Sequence, residues 1–437
     1  MFFYYLRLAG ISIRKNPVLS ALMVAAIGLG IGACMTVLTV NYLMSSDPIP
    51  QKSDVLYYVQ LDNWDPNNAA DEPNESPDQL TYLDATALMK ANRAFRQTAN
   101  VAASLVIEPS GDDAKPFLVS GRGSFGSFFS MFDVPFLYGG PWDRDADDAE
   151  EQVVVLTREI NDRVFGGEDS VGRNLRMGGF EFRVVGVMDT WLPVPKFYDV
   201  STGPFDDVEE VFFPFNLIVP LELSRSGNTN CWKAPDGDGL QAFLNSECVW
   251  IQFWAELPDD EAKLEYLAFL DNYVSEQKTL GRFERPLNNR VSDVMEWMEI
   301  QQVVLDDAKI VLALAVMFLV VCILNTIGLL LSKFLGKAPE IGLRRALGAS
   351  KRTLLAQHLL EAACIGLVGG LLGLVLTWFG LRGIESLFGG ISKELVHLDW
   401  VMVGSAVVLA LVSSVAAGFY PTWRACSVAP ASQLKSQ

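Results

Sequence analysis

Adjacent acidic pairs are the first candidates for chemistry: Asp112-Asp113, Asp147-Asp148, Glu150-Glu151, Asp206-Asp207 and Glu209-Glu210. Paired carboxylates can share a proton or hold a divalent cation. Neighbours in sequence do not converge on one site without a turn, so these pairs read as solvated surface and not as catalytic groups. Two histidines, His358 and His397, exclude any site that needs a histidine cluster. There is no GxxxxGK[ST] run, hence no phosphate-cradling loop and no ATP hydrolysis expected from this chain. HExxH, GxSxG and metal-spaced cysteines are also missing. Neither a catalytic residue nor a bound cofactor or metal is expected.

The six cysteines divide by surroundings. Cys34, Cys322 and Cys364 fall in apolar runs and Cys426 in the C-terminal tail, and all four read as reduced thiols. Cys231 and Cys248 fall in the polar block between the runs, where an oxidising environment favours a disulfide. Closing that loop contributes roughly 3 kcal/mol on the loop-entropy account.

The most informative segment is KAPEIGLRRALGASKRTLLAQHLLEA, Lys337 to Ala362. Pro339 ends the preceding helix, EIGLRRAL can form a short amphipathic helix, and Gly348 can terminate it. Ile341, Ala346 and Leu347 can pack against a partner while Arg344 and Arg345 reach acidic groups or lipid. Ile341 and Arg345, four apart, are expected to line the contacting face. A basic helix resting on anionic lipid is the other reading, and residue types alone leave both open.

These residues are positioned by long apolar runs. The chain has 437 residues, half of them apolar, and a net charge of −18, yet its mean hydropathy is +0.24. The two properties therefore occupy different stretches. Val18 to Met44, Ile310 to Leu331, Ala362 to Leu381 and Val401 to Phe419 carry no charge, and each is long enough to cross a hydrocarbon core of roughly 20 residues. The first could be a cleaved signal, with Ile31-Gly32-Ala33-Cys34 offering a weak lipidation site. It continues ten residues past Cys34, beyond the ~7–15 residues of a signal's apolar region, so it reads as a retained span. The pairs Gly28/Gly32, Gly366/Gly370 and Gly369/Gly373 have the GxxxG spacing of close helix packing.

Cationic residues set the orientation. Arg7, Arg14 and Lys15 precede span one; Lys333, Lys337, Arg344, Arg345, Lys351 and Arg352 lie between spans two and three; Arg424 and Lys435 follow span four. The turn between spans three and four has Arg382 and Lys393 against Glu385, Glu394 and Asp399. Both termini are expected in the cytoplasm, Ser350 with them, and Ser53 and Ser226 are expected to be exposed outside. The outer block, Ser45 to Lys309, has 21 Lys and Arg against 47 Asp and Glu, a net charge of −26. Such a surface keeps a large domain soluble and excludes nucleic acid as a partner.

Within that block, Pro48 to Pro77 reads as an irregular loop and Leu80 to Phe95 as a helix, with Leu80, Leu83, Ala87 and Leu88 on one face. Val153–Leu156, Phe180–Met188, Val211–Phe215 and Cys248–Leu257 read as strands, with a hairpin turn at Gly178-Gly179. Asp259 to Gln277 reads as a helix. The expectation is an α+β domain of two subdomains inserted between spans one and two of a membrane protein with four transmembrane helices.

EIGLRRALGAS (Glu340 to Ser350) resembles the coupling segment of MacB/FtsX-type ABC transporter permeases at nearly every position. Asn325 in CILNTIGLLLS, Glu361 with Gly369-Gly370, and the tail GFYPTWRACSVAPASQL (Gly418 to Leu434) are similar to further motifs of that family. Val153 to Val187 looks like its MacB-type periplasmic core. Two features depart from it: Lys337-Ala338-Pro339 stands where the family has an Arg-rich approach, and Cys231 to Trp250 has no counterpart. The resemblance implies a division into 1–44, 45–309 and 310–437, with a coupling helix at 338–350. It implies ATPase coupling through Glu340, Ile341, Gly342, Arg344, Arg345, Leu347 and Gly348, and helix packing through Gly28, Gly32, Gly366, Gly370 and Asn325. The implied partners are a separate ABC ATPase that binds ATP and Mg, a second permease copy or paralogue, a periplasmic membrane-fusion adaptor and an outer-membrane channel, in the bacterial inner membrane. The implied role is mechanotransmission for efflux of a peptide, antibiotic or lipid-like substrate. FtsX-like signalling to a periplasmic partner without transport is the alternative, and a four-span receptor fails on the cytoplasmic motif.

Overall fold

A computed structural model describes residues 2–71, 74–109, 115–304, 306–387 and 400–427. The chain divides into two units, Ser46–Val303 and the flanking Met1–Ser45 with Val304–Gln437. Asp112, Asp113, Lys393, Glu394, His397, Asp399 and the tail beyond Ser427 lie outside the described residues, as does the side chain of Cys426.

Helix α1 (Phe2–Lys15) is followed by α2 (Pro17–Ser45), where proline at the first position suits a helix start. The inserted unit then runs β1 (Leu56–Gln60), β2 (Leu80–Thr81), α3 (Tyr82–Ala91), β3 (Arg96–Glu108), β4 (Phe117–Ser124), α4 (Ser127–Met131), β5 (Phe136–Gly139), α5 (Arg144–Asp148), β6 (Val153–Leu156) and α6 (Arg158–Phe165). It continues with β7 (Asn174–Met177), β8 (Phe180–Met188), β9 (Val211–Pro214), α7 (Leu240–Leu244), β10 (Val249–Glu256), α8 (Asp260–Thr279), β11 (Arg290–Asp293) and α9 (Val294–Ile300). Strand order is β11-β1-β10-β3-β4-β9-β6-β8-β5, with β2 on β10 and β7 joining β3 and β8.

Strand β3 belongs to two sheets. Its first residues pair with β10 (Asn100 opposite Gln252) and its later ones with β4 (Val101 opposite Gly123). The unit thus has two halves that share one continuous strand.

Alternation along the strands feeds two cores. Val154 and Leu156 enter one apolar cluster while Val153 and Val155 enter the other. Phe213 and Phe212 divide likewise, as do Phe253 and Trp254. Both faces are covered, which is why VVVL reads as an unbroken apolar run. Gly178 and Gly179, both at positive φ, make the β7–β8 turn as expected.

Two expectations need correction. The loop expected over Pro48 to Pro77 contains β1, whose LYYVQ sequence is buried throughout; the Asp- and Pro-rich stretch after it obscured that aromatic, β-branched core. The helix expected from Leu80 starts two residues later. Leu80 pairs with Ile251 in the sheet, and Thr81 caps α3 by accepting from the Asp84 N–H at 3.1 Å. Asn92, at φ 48°, ends it.

The second core is aromatic and holds a buried ion cluster. Tyr58 stacks on Trp297 with ring centres 3.7 Å apart and meets Trp254 edge-on at 5.1 Å. Arg122 of β4 is wholly buried there; its Nη2 pairs with Asp199 and, at 2.6 Å, with Glu209. The Tyr198 hydroxyl donates to Glu209 at 2.8 Å, and Gln252 Nε2 to Asp199 at 2.9 Å. Burial pushes the Glu209 carboxyl up, but Arg122 and Lys196 outweigh it and hold its pKa at about 2.

The membrane unit resumes with α10 (Asp306–Gly336), α11 (Ala338–Ala346), α12 (Lys351–Leu387) and α13 (Trp400–Ser427). Among the described residues, Pro17–Met44, Ala308–Gly336, Lys351–Ile384 and Met402–Arg424 are long and apolar enough to cross a membrane. The helices outrun the apolar stretches because Lys, Arg, Gln and Leu at their flanks are good helix formers. The glycine pairs interlock α2 with α12. A methyl group on Gly28 would meet Leu372 at 2.9 Å, and one on Gly373 would meet Ile31 at 2.9 Å. Gly32 faces Leu376, while Gly366 and Gly370 face Ser414 and Ala410 of α13.

Arg122→Ala leaves Asp199 buried without its cation and Glu209 with Lys196 alone, and should cost roughly 3–5 kcal/mol, read as a fall in urea midpoint by tryptophan fluorescence. Glu209 has a depressed folded pKa. Its contribution is complete above the unfolded value near 4.5 and is lost as pH falls toward about 2. Glu209→Gln should therefore flatten the acid side of the stability profile.

Candidate functional site

The segment Lys337 to Ser350 folds as a short helix between two long ones. Pro339 lies in the first turn of α11, Glu340 also in that turn, and Arg344 and Arg345 in the last, an arrangement that suits the helix dipole. Gly348 at φ +98° ends it, and its N–H donates to the Arg345 carbonyl at 3.1 Å. Ser350 then caps α12, accepting from the Thr353 N–H at 3.2 Å.

The two sides of α11 differ from the expectation. Ile341 is 4 % exposed and belongs to the core of its own membrane unit, together with Phe334 and Leu354. It cannot be the residue that a partner's groove receives. Gly342 is buried beside it. The outward apolar residues are Leu343, 54 % exposed, and Leu347, 81 % exposed, four apart on the opposite side. Glu340 and Arg344 form an exposed ion pair at 2.6 Å, and Arg344 also donates to Gln357 of α12 at 3.3 Å.

Beneath Ile341 lies an ion cluster that the sequence reading did not assemble. Glu361 of α12, 2 % exposed, is 2.7 Å from Lys333 Nζ and 3.6 Å from Lys337 Nζ, both on the α10 side. Ser12 of α1 donates to the same carboxylate, Lys337 donates to Ser12, and Lys333 donates to Ser20 of α2 at 3.4 Å. His358 Nδ1 stands 3.5 Å from the other Glu361 oxygen. One carboxylate thus joins α1, α10 and α12, and α2 through Lys333. Lys337 is also the residue that precedes and caps α11. A signal was available: Lys333 and Glu361 both sit within a turn of an apolar run.

The remaining site residues lie apart. Asn325 is exposed on α10, so it does not pack against helices of its own chain; helical rotation turns it away from buried Cys322 and Thr326. Cys231 and Cys248 are joined as a disulfide with Cα atoms 4.2 Å apart, and Cys34, Cys322 and Cys364 are free thiols. The acidic pairs split between core and surface. Asp147 is buried, accepting from the Gly126 N–H at 2.9 Å and Trp142 Nε1 at 2.7 Å, and burial pushes its pKa up to about 7 against those hydrogen bonds; Asp148 is exposed. Glu209 enters the Arg122 cluster whereas Glu210 stays half-buried at the edge and accepts from the Ser120 N–H. Among the described residues no three such groups converge as metal ligands. Ser53, expected to be exposed, is 5 % exposed and buried next to β11–α9, where its carbonyl accepts from Val294.

Residues 20–246 match the MacB-like periplasmic core domain family and residues 312–430 the FtsX-like permease C-terminal family. A pyoverdine export ATP-binding/permease protein, PvdT, of Pseudomonas entomophila is 23% identical over 82% of this chain and 49% of its own length. The macrolide export ATP-binding/permease protein MacB of Wolinella succinogenes is 24% identical over 65% of this chain and 39% of its own length. An uncharacterized ABC transporter permease, YvrN, of Bacillus subtilis is 25% identical over 70% of this chain and 68% of its own. The chain spans about half the length or less of the two export relatives. The crystal structure of the periplasmic region of MacB from Actinobacillus actinomycetemcomitans is similar over 59% of this chain and 96% of that one, at 15% identity and a TM-score of 0.36.

Glu361→Gln should leave Lys333 buried without its counter-charge and loosen the seat of α11, at a cost of roughly 3–5 kcal/mol. The measurement is amide hydrogen exchange on the full chain. Residues 338–350 should exchange faster while β6 and β8 are unchanged.

Proposed function

Because this chain belongs to the MacB/FtsX-type ABC transporter permeases, we propose that it couples a separate ATPase subunit to conformational change in its inserted domain, with α11 as the docking element. The observation that carries this reading is the two-sided helix. Ile341 roots α11 in the membrane unit, while Leu343 and Leu347 present an apolar pair outward beside the Glu340–Arg344 ion pair. A helix resting only on lipid would equally point leucines outward. The ion cluster at its root favours mechanical coupling instead, since a push on α11 meets α1, α10 and α12 through Lys337 and Glu361.

On this reading the chain performs no hydrolysis of its own; ATP and Mg are held by the ATPase. Both termini and α11 face the cytoplasm, the acidic block faces the periplasm, and the membrane is the bacterial inner membrane. Asn325 and the exposed apolar residues of α10, among them Leu314, Met317, Val321 and Leu324, supply a surface for a second copy or a paralogue. An amide in hydrocarbon gains most by pairing across such an interface. The names of the pyoverdine and macrolide export relatives support an efflux role; on this reading the cargo is a peptide, antibiotic or lipid-like molecule, and a periplasmic adaptor and an outer-membrane channel complete the path. Gly342, Arg345 and Gly348 shape the docking helix.

Burying one leucine of this pair in a partner contributes roughly 1.5–3 kcal/mol, a factor of about 10 to 150 in affinity. Leu343→Asp and Leu347→Asp should each reduce ATPase copurification and stimulated ATP turnover by that order, whereas Ile341→Val should leave both nearly intact. Unchanged copurification in both aspartate variants would remove α11 from the interface. Orientation has its own check. A cysteine at Ser350 should label only from the cytoplasmic side, and one at the exposed Ser275 only from the periplasmic side.

A further inference from the structure

The inserted unit contains a cavity of about 430 Å³ that the coupling mechanism does not use. Ile218, Leu223, Leu240, Leu244, Trp250 and Arg225 line it, with Glu222 also in its wall. That volume is in the range of small-molecule sites, roughly 300–1,000 Å³. Helix α7 supplies Leu240 and Leu244 and lies within the loop closed by Cys231 and Cys248. A bridge between Asn230 and Val249, with hydrogen bonds of 3.0 and 2.8 Å, fastens the loop beside the start of β10.

Arg225 is the unusual member. Its guanidinium stacks over Phe243 at 4.3 Å and over Trp250 at 4.5 Å. Among the described residues its side chain meets these rings and makes no ion pair or side-chain hydrogen bond, with Glu222 or any other group. Arg93, Arg163 and Arg173 also stack on rings without a carboxylate, but all three are exposed, whereas Arg225 is half-buried. Burial lowers the pKa of Arg225, so its charge is held at a cost. Trp250, 2 % exposed, gives the wall its ring, while its indole N–H is sealed beneath the surface.

A guanidinium without an acceptor, set among aliphatic side chains, defines what is missing. A carboxylate or phosphate accepts two parallel hydrogen bonds from a guanidinium, and the stacked rings hold that fork in a fixed plane. An aliphatic or aromatic body fills the apolar wall. Glu222 disfavours a ligand with several negative charges. We propose that this cavity binds an amphiphile with one anionic group, carboxylate or phosphate, held by Arg225 over the Phe243 and Trp250 rings, and an apolar body against Ile218, Leu223, Leu240 and Leu244. The site is independent of the coupling reading, because its ligand can be cargo or effector and its binding is measured without ATP.

The test is calorimetric titration of the full chain in lipid nanodiscs with octanoate, octyl phosphate, octanol and acetate. One of the two eight-carbon anions should saturate a single site per chain, and acetate and octanol should bind at least tenfold more weakly. Tighter octyl phosphate assigns a phosphate headgroup and tighter octanoate a carboxylate; either supports the site. Arg225→Gln should weaken binding at least tenfold, Arg225→Lys less, and Arg93→Gln not at all. Leu240→Trp, at a half-buried position, should block the cavity with the arginine in place. Equal isotherms for the parent chain and Arg225→Gln, or octanol binding as tightly as the anions, overturn the proposal.

Discussion

A carboxylate buried at the end of an apolar span must be met by cations, and Glu361 dictates where the flanking helices can sit. Lys333 in the last turn of α10 and Lys337 in the turn that follows both reach it, and Ser12 draws α1 to the same point. Since Lys337 also precedes α11, the start of the exposed helix and the centre of the ion cluster are fixed by a single side chain. The interlocked glycines of α2 and α12 then set the distance between spans, leaving the ion cluster to set register. Packing without the charges would allow α12 to slide against its neighbours by a turn; the charges permit one alignment.

The inserted unit applies the same principle in a different solvent. Its surface is strongly acidic, yet the acids in its interior are matched: Asp199 and Glu209 by Arg122, Asp84 and Glu247 by Arg282, Asp62 by Arg285. A −26 excess therefore burdens the exterior and not the core. Asp147 differs in being held by neutral donors, Gly126 and Trp142, which is why its proton affinity rises while that of Glu209 falls. Arg225 is the reverse case, a half-buried cation faced by rings in place of an acid.

Much of this architecture was legible from residue order. Apolar runs announced the spans, β-branched runs announced β6, β8, β9 and β10, and Gly178-Gly179 announced its hairpin. The failures share a cause. Periodicity tells which residues share a helical face but not which face turns inward, and α11 is apolar on both sides, with Ile341 on one and Leu343 and Leu347 on the other. Strand β1 was hidden because turn-forming residues outnumber it within the same stretch. The Glu361 cluster was hidden because a charge at the edge of an apolar run reads as a flank facing water, and only the three-dimensional approach of α1 and α10 shows that water is excluded. Asn325 has the opposite history: the family resemblance implied helix packing, and the helix turns it outward.

Strand β3 has a mechanical consequence. Its thirteen residues run unbroken from one ladder into the other, Arg96 to Asn100 pairing with β10 and Val101 to Ile107 with β4. The two ladders meet end to end without overlap, so between Asn100 and Val101 this strand joins the halves through covalent backbone. Tension between the halves is therefore carried by covalent backbone at that junction, and each ladder stays intact under it.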